Sequence, residues 1–302
     1  MPSILHLMNP AAGKGLLPDK NSLTGEIYIT QKPGDATDYL KKRLTNNESY
    51  IIYVYGGDGT INEAANGIML SGTDADVTLV PVPTGSGNDF HRVSGTLERT
   101  VPCDIIKYND RYAINEVNIG FDCGVAERTN KIKQNSIIGG SFSYILGVLI
   151  EFIRKKATFM RIVMTYADGS EEVFEGEYLL CAVANGRYYG GGFMAAPTAE
   201  LSDGLLDVVL VKNIGRLRFL SLVGDYKNGT HIDPETNTPS SRLADVLIFR
   251  KAVKVNFEGA YKYSADGEIF RNENGALTIE CIPSAISASS ERGSSRSAVA
   301  LK

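Results

Sequence analysis

The sequence predicts an α/β domain followed by an all-β domain folded as a β-sandwich. Three observations carry that prediction. Short apolar runs alternate with helical patterns up to about residue 101, strand-like runs separated by tight turns dominate afterwards, and three glycine-rich loops each follow a strand in the first part. At 302 residues the chain has room for two cores.

Ser3 to Met8 is apolar enough for a first buried strand and runs into Asn9-Pro10-Ala11-Ala12-Gly13-Lys14-Gly15, a small-residue loop holding one cation. Glu26 to Thr30 reads as a strand, and Asp35 to Leu44 as a helix with Ala36, Tyr39, Leu40 and Leu44 inward. A parallel crossover between the first two strands needs about a dozen residues, usually helical. Pro18 and Gly25 leave little room for one, so a reduced or missing helix is expected there.

The stretch 51–70 organises the rest. Ile51 to Tyr55 is a β-branched and aromatic run, and Gly56, Gly57, Asp58 and Gly59 follow it at once. Thr60 and Glu63 stand three apart like a capping box, opening a helix in which Ile61, Ala64, Ala65, Ile68 and Met69 recur at helical spacing. A glycine turn at a helix start is an anion site, because backbone N–H groups are unpaired there and the dipole is positive. Asp58 inside such a cradle calls for a metal ion or a bound water. The G-x-G-x-x-G fingerprint fails because neither Thr60 nor Asn62 is glycine, and the Walker A pattern fails because Gly15 follows Lys14. Taken alone, the stretch also fits a glycine turn of any α/β protein. Val77 to Val82 is the next strand and ends in Pro83-Thr84-Gly85-Ser86-Gly87-Asn88-Asp89-Phe90. Ligands of parallel sheets bind beyond the carboxyl ends of the strands, so the three loops should gather on one edge.

In the second part Ile105 to Tyr108, Tyr112 to Gly120, Arg161 to Tyr166, Glu171 to Tyr178, Leu179 to Asn185, Leu205 to Val211, Val253 to Phe257 and Leu277 to Ile282 are strand-like. Asn109-Asp110, Ala167-Asp168-Gly169 and Ala265-Asp266-Gly267 mark turns. Nothing in spacing separates the last two. Helical patterns cover Ser141 to Lys156 and Leu217 to Asn228. The domains are expected at 1–124 and 125–282, with 283–302 partly returning to the first domain and disordered from Ser289 onward.

Hydrophobic content of 43% and charged content of 22% are those of a globular protein, and a net charge of −4 argues against bulk binding to nucleic acid. Four scattered cysteines (Cys103, Cys123, Cys181, Cys281) without a C-x-x-C pair, and only three histidines, argue against zinc and for buried thiols in a reducing compartment. The N-terminus lacks signal-peptide features, and the most apolar run, Tyr144 to Ile153, is too short to span a bilayer. A cytoplasmic protein without a transmembrane segment is expected.

The three loops, in this order, resemble the diacylglycerol kinase catalytic family, in particular its bacterial lipid kinases, which are related to sphingosine kinases. Gly120-Phe121-Asp122-Cys123-Gly124, Ala184-Asn185-Gly186, Ser202-Asp203-Gly204-Leu205-Leu206-Asp207 and Asp266-Gly267-Glu268 extend the likeness to about Pro283. Gly56-Gly57-Asp58-Gly59-Thr60 alone is also similar to NAD kinases. The resemblance implies a three-layer α/β nucleotide-binding domain, a β-sandwich, and ATP with Mg²⁺ in the cleft between them. It places Gly56 to Asn62, with Glu63, around the phosphates, and Thr30, Gly85, Ser86, Asn88 and Asp89 on the nucleotide side. Asn9, Gly13 and Lys14 would line the same site, and Asp58 would order the catalytic Mg²⁺. One of Asp266 and Glu268 would accept the proton of the attacking hydroxyl, and Glu268 is assigned that role. Glu200, Asp203 and Leu205 would hold a structural Mg²⁺, the first and last through backbone carbonyls.

The implied function is a lipid kinase acting on a neutral lipid such as diacylglycerol. The alternatives are a kinase of a small soluble acceptor like NAD, or a non-catalytic nucleotide- or lipid-binding protein. The implied partner is a lipid at a membrane surface, with peripheral contact and no nucleic acid, and a homodimer is left open. Ser141 to Ile153 with Arg154-Lys155-Lys156 is either an interfacial surface or, more simply, a core helix ending in cations that suit its dipole.

Overall fold

The computed structural model describes residues 1–12, 17–46, 48–85, 87–121 and 157–292. Strands β1 (Ser3–Met8), β2 (Glu26–Ile29), β3 (Tyr50–Gly56) and β4 (Val77–Pro83) run parallel in the order β4-β3-β1-β2. Their residues Leu5, Leu7, Ile52, Val54 and Leu79 are buried, as apolar runs covered by helices should be. Between β1 and β2 the described residues form one 3-10 turn, Lys20–Ser22, in place of a crossover helix, as the short segment led us to expect.

Helix α1 (Asp35–Arg43) crosses α2 (Asp58–Ser71) closely at Gly67, where a Cβ would sit 2.8 Å from Leu40 Cβ. A short helix, α3 (Asp89–Ser94), starts inside the third glycine loop, a stretch without a helical pattern.

The remaining strands are β5 (Val101–Tyr108), β6 (Arg111–Ala113), β7 (Glu116–Gly120), β8 (Thr158–Thr165), β9 (Glu171–Ala184), β10 (Leu206–Lys212), β11 (Ile232–Asp233), β12 (Thr238–Pro239), β13 (Leu247–Ala252), β14 (Lys254–Glu258), β15 (Lys262–Ala265), β16 (Glu268–Arg271) and β17 (Ala276–Ala288). Helix α4 (Arg216–Asn228) packs Phe219, Leu222 and Tyr226 under β9, β10 and β13. Every pairing among these strands is antiparallel. Two expected strands, 171–178 and 179–185, are one continuous β9, whereas 112–120 breaks into β6 and β7 at Ile114 and Asn115.

Three large cores result among the described residues. One joins Leu5, Ile52, Leu79, Ile61 and Leu40, a second joins Val117, Met160, Val183, Leu210, Val255 and Phe257, and a third joins Leu180, Val209, Phe219, Leu222 and Phe249. Strand β17 belongs to both halves. It pairs antiparallel with β14 and β5, bends at a register shift between Ile282 and Ile286, and then runs parallel to β4. The return to the first sheet extends further than expected. Ser289 and Ser290 are buried, Ser289 N–H donates to Leu79 O and Ser290 Oγ donates to Leu97 O. The expected disorder from Ser289 is therefore corrected at these residues. The expected helix at Ser141 to Lys156 and the Asp122-Cys123-Gly124 motif lie outside the described residues.

Candidate active site

All four parallel strands end on one edge, so Asn9, Thr30, Gly57 and Thr84 begin four neighbouring loops. The second and third loops touch backbone to backbone. Thr84 and Gly85 N–H groups both donate to Gly56 O, and a Cβ on Gly85 would lie 2.4 Å from Gly57 Cα. A Cβ on Gly56 would lie 2.4 Å from Thr60 Cβ, and one on Gly87 would lie 2.6 Å from Asp58 Oδ2. These glycines are demanded by packing between loops. Gly59 differs: a Cβ there would meet nothing within 4 Å. Open space therefore lies over the first turn of α2, and that helix begins at Gly57 without a side-chain cap. The N–H groups of Asp58 and Gly59 precede the first backbone bonds of the helix, in which Thr60 and Ile61 N–H donate to Gly57 O.

The capping box is a correction. Thr60 Oγ1 accepts from Asn9 Nδ2 at 2.8 Å, tying the first loop to the second. Glu63 reaches the start of α1, where its carboxylate accepts from Gly34 N at 2.9 Å and Ala36 N at 3.2 Å. It braces a neighbouring helix instead of facing the loop mouth. Thr30 is buried with its hydroxyl donating to Met8 O. Asn62 turns away from the loops, donating to Asp266 Oδ2 and Tyr112 O. Gly13, Lys14 and Ser86 lie outside the described residues.

Asp58 sits at the junction of the second and third loops. Its Oδ1 accepts from Phe90 N at 3.1 Å and so caps α3. Burial raises its pKa, the backbone N–H groups of residues 88–90 pull it back, and Asp266 adds to the rise. Asp89 is pushed up to about 6 by burial and by Asp58, while its Oδ2 accepts from Gly191 N at 2.7 Å across the cleft. Asn88 takes the left-handed backbone that Asn tolerates, and its Nδ2 donates to Gly85 O. Thr84 Oγ1 and Asn88 Oδ1 are buried and have no hydrogen-bond partner among the described residues. Two adjacent carboxylates, two orphaned oxygens and an uncapped helix start suit a phosphate chain accompanied by a hard, oxygen-seeking cation.

Across the cleft, β15 and β16 form a two-residue hairpin whose turn is Asp266-Gly267, both with positive φ (44° and 83°), as a type I′ turn requires. The Asp266 carboxylate accepts from Asn62 Nδ2 (2.7 Å) and from the backbone N–H groups of Ile114 (2.9 Å), Asn115 (3.0 Å) and Glu116 (2.9 Å). Burial raises its pKa and these donors oppose the rise. With both oxygens doubly engaged, Asp266 pins the hairpin to α2.

Glu268, two residues on, remains exposed to solvent. Partial burial and the charge of Glu63 raise its pKa, and Arg111 pulls it down. Arg111 lies over the Phe270 ring, 5.0 Å from its centroid, and had no signal in the sequence beyond a charge after a turn.

At the expected structural metal site both carboxylate oxygens of Asp203 have protein partners. Asp203 Oδ1 accepts from Leu205 N at 3.0 Å, and Asp203 Oδ2 is 2.7 Å from Lys251 Nζ. Glu200 is exposed. Among the described residues no group of three or more His, Cys, Asp or Glu side chains could hold a metal ion. Cys103 and Cys181 are buried free thiols and Cys281 is half-buried, matching the expectation for those three. Among the described residues no helix is long and apolar enough to cross a membrane.

Residues 4–107 match the model of the diacylglycerol kinase catalytic domain, and residues 115–289 match that of the YegS C-terminal NAD kinase beta sandwich-like domain. A probable lipid kinase YegS-like protein of Alcanivorax borkumensis is 29% identical over 196 residues, spanning 61% of this chain and 62% of the relative. A Shewanella frigidimarina protein of the same name is 28% identical over 203 residues, 63% of each chain, so the match spans under two thirds of either relative. A diacylglycerol kinase of Mycobacterium tuberculosis is 27% identical over 256 residues, spanning 78% of this chain and 79% of the relative. The crystal structure of a putative diacylglycerol kinase from Bacillus anthracis shares the fold, with a TM-score of 0.69 at 24% identity over 95% of this chain and 94% of that one.

Proposed function

Because this chain belongs to the diacylglycerol kinase family with a YegS-type C-terminal domain, we propose that it is an ATP-dependent lipid kinase. It transfers the γ-phosphate of ATP to the hydroxyl of a neutral lipid such as diacylglycerol. The carrying observation is the Asp266 brace, which fixes the Glu268 hairpin to the helix that opens the glycine loop.

The N–H groups at the start of α2 and the backbone of Gly56 to Thr60 hold the phosphates, with Gly85 and Asn88 closing the other side. Asp58 and Asp89 hold Mg²⁺, directly or through its waters. The ion supplies charge neutralisation on the phosphates when bound. Glu268 takes the proton of the acceptor hydroxyl as that oxygen forms its bond to the γ-phosphorus and the bond to the ADP oxygen breaks. Positioning carries most of such a reaction, so a braced base matters more than a strong one.

The test is transfer of radiolabelled γ-phosphate from ATP with Mg²⁺ to neutral lipids in mixed micelles, with Glu268→Gln alongside. A labelled lipid made only by the unaltered protein supports the proposal. Label found only in a water-soluble acceptor would overturn it in favour of a soluble-substrate kinase.

A further inference from the structure

The loop 198–205 lies where the two halves meet. Leu201 is buried in the first core, and its carbonyl accepts from Asp104 N at 2.6 Å. Asp104, on β5, then accepts from Gly204 N and Ser284 N, both at 2.7 Å. From the other side comes Lys251 on β13. It is the cross-strand partner of Asp207 on β10, so its side chain runs past Asp207 into the loop. Its ammonium has three protons to donate and meets three oxygens: Asp203 Oδ2 at 2.7 Å, Asp207 Oδ1 at 3.0 Å and Thr198 O at 3.1 Å.

We propose that the Lys251 ammonium is the resident cation of this loop, taking the part that the family resemblance assigns to a structural Mg²⁺ at Glu200, Asp203 and Leu205. The carboxylate oxygens that a metal would need are already engaged. Asp207 Oδ2 accepts from Thr198 Oγ1 and Asp203 Oδ1 from Leu205 N, so every carboxylate oxygen of Asp104, Asp203 and Asp207 already has a protein donor. Mg²⁺ demands near-octahedral oxygens at about 2.0–2.1 Å. Seating it on Asp203 means displacing an ammonium held by three acceptors. A tethered cation also spans what a free ion would span, joining the loop to β10 and β13 while Leu201 anchors it in the first core. The inference concerns the build of the fold and stands apart from the reaction proposed above.

The test is thermal unfolding of the full chain without nucleotide, in EDTA and in excess Mg²⁺, for the unaltered protein, Lys251→Met and Asp203→Asn. The unaltered protein should melt within about 1 °C in the two buffers, and Lys251→Met should melt about 5 °C lower in EDTA. A rise with Mg²⁺ in the unaltered protein that Asp203→Asn abolishes would overturn the proposal, as would an unshifted Lys251→Met. If Lys251→Met does not fold, Mn²⁺ titration of the unaltered protein and Asp203→Asn decides. Equal numbers of bound ions support the lysine, and one fewer in Asp203→Asn makes the ion resident.

Discussion

Asp168-Gly169 and Asp266-Gly267 are the same dipeptide at the tips of two hairpins, and their carboxylates live in opposite worlds. Asp168 accepts from the N–H and hydroxyl of Ser170, two residues away, and these bonds lower its pKa. Asp266 accepts from Asn62 and from residues 114–116, all distant in the chain, and burial raises its pKa. Local chemistry makes both turns; only the second is enlisted as a joint. What separates a turn from a site here is the sequence distance of its partners.

The largest effect expected is from Asp266→Ala, which strands three backbone donors and Asn62. It should remove about 3–5 kcal/mol of unfolding free energy, read by denaturant titration, together with all transfer activity. Unchanged stability would reduce Asp266 to the rank of Asp168. Next is Glu268→Gln, which should cost roughly 10²–10⁴ in kcat with nucleotide binding and melting temperature unaltered. A matching loss of nucleotide affinity would mark Glu268 as part of the cradle.

Gly59→Ala tests the cradle itself. Open space at its Cβ means the free protein should gain roughly 0.4–1 kcal/mol of stability, while nucleotide affinity falls about tenfold by calorimetry. Loss of stability instead would show that the glycine is there for packing. Smaller again is the effect of Glu63→Gln. A base with a raised pKa is active above that pKa and fails as pH falls through it. Glu63 contributes to the rise, so Glu63→Gln should move the acid limb of the kcat profile to lower pH. A limb that stays put would separate Glu63 from Glu268. Asp168→Ala should leave activity and the unfolding midpoint where they are.

Much of the first half was legible because its signals are local. Tyr50–Gly56 and α2 follow from an apolar run, glycines and helical spacing, and the loops then fall on one edge by topology. The failures share a cause. Glu63 satisfies the capping-box spacing, but its partners come from α1, and no spacing rule contains Gly34. Strand β13, Leu247–Ala252, carries Arg250 and Lys251 and was missed because its charges are held by distant partners, Glu172 on β9 for Arg250 and Asp203 in the loop 198–205 for Lys251. Helix α3 takes the carboxylate of Asp58 at its start, the first residue of α2. Asp104, Arg111 and Lys251 have no motif at all.

Strand β17 has a consequence for how the protein is made. Ser287 lies beside Thr78, a partner synthesised roughly 200 residues earlier. While the chain is being translated, the edge of β4 therefore waits, its ladder groups unpaired and open to other strands, until nearly everything else has emerged. Loop closure on that scale is slow, and an unfinished edge in the meantime is what chaperones cover. Once β17 is laid down it locks both halves into one unit. The nucleotide half and the hairpin half should then lose structure in a single transition, and a truncation that removes 284–292 should release them into two.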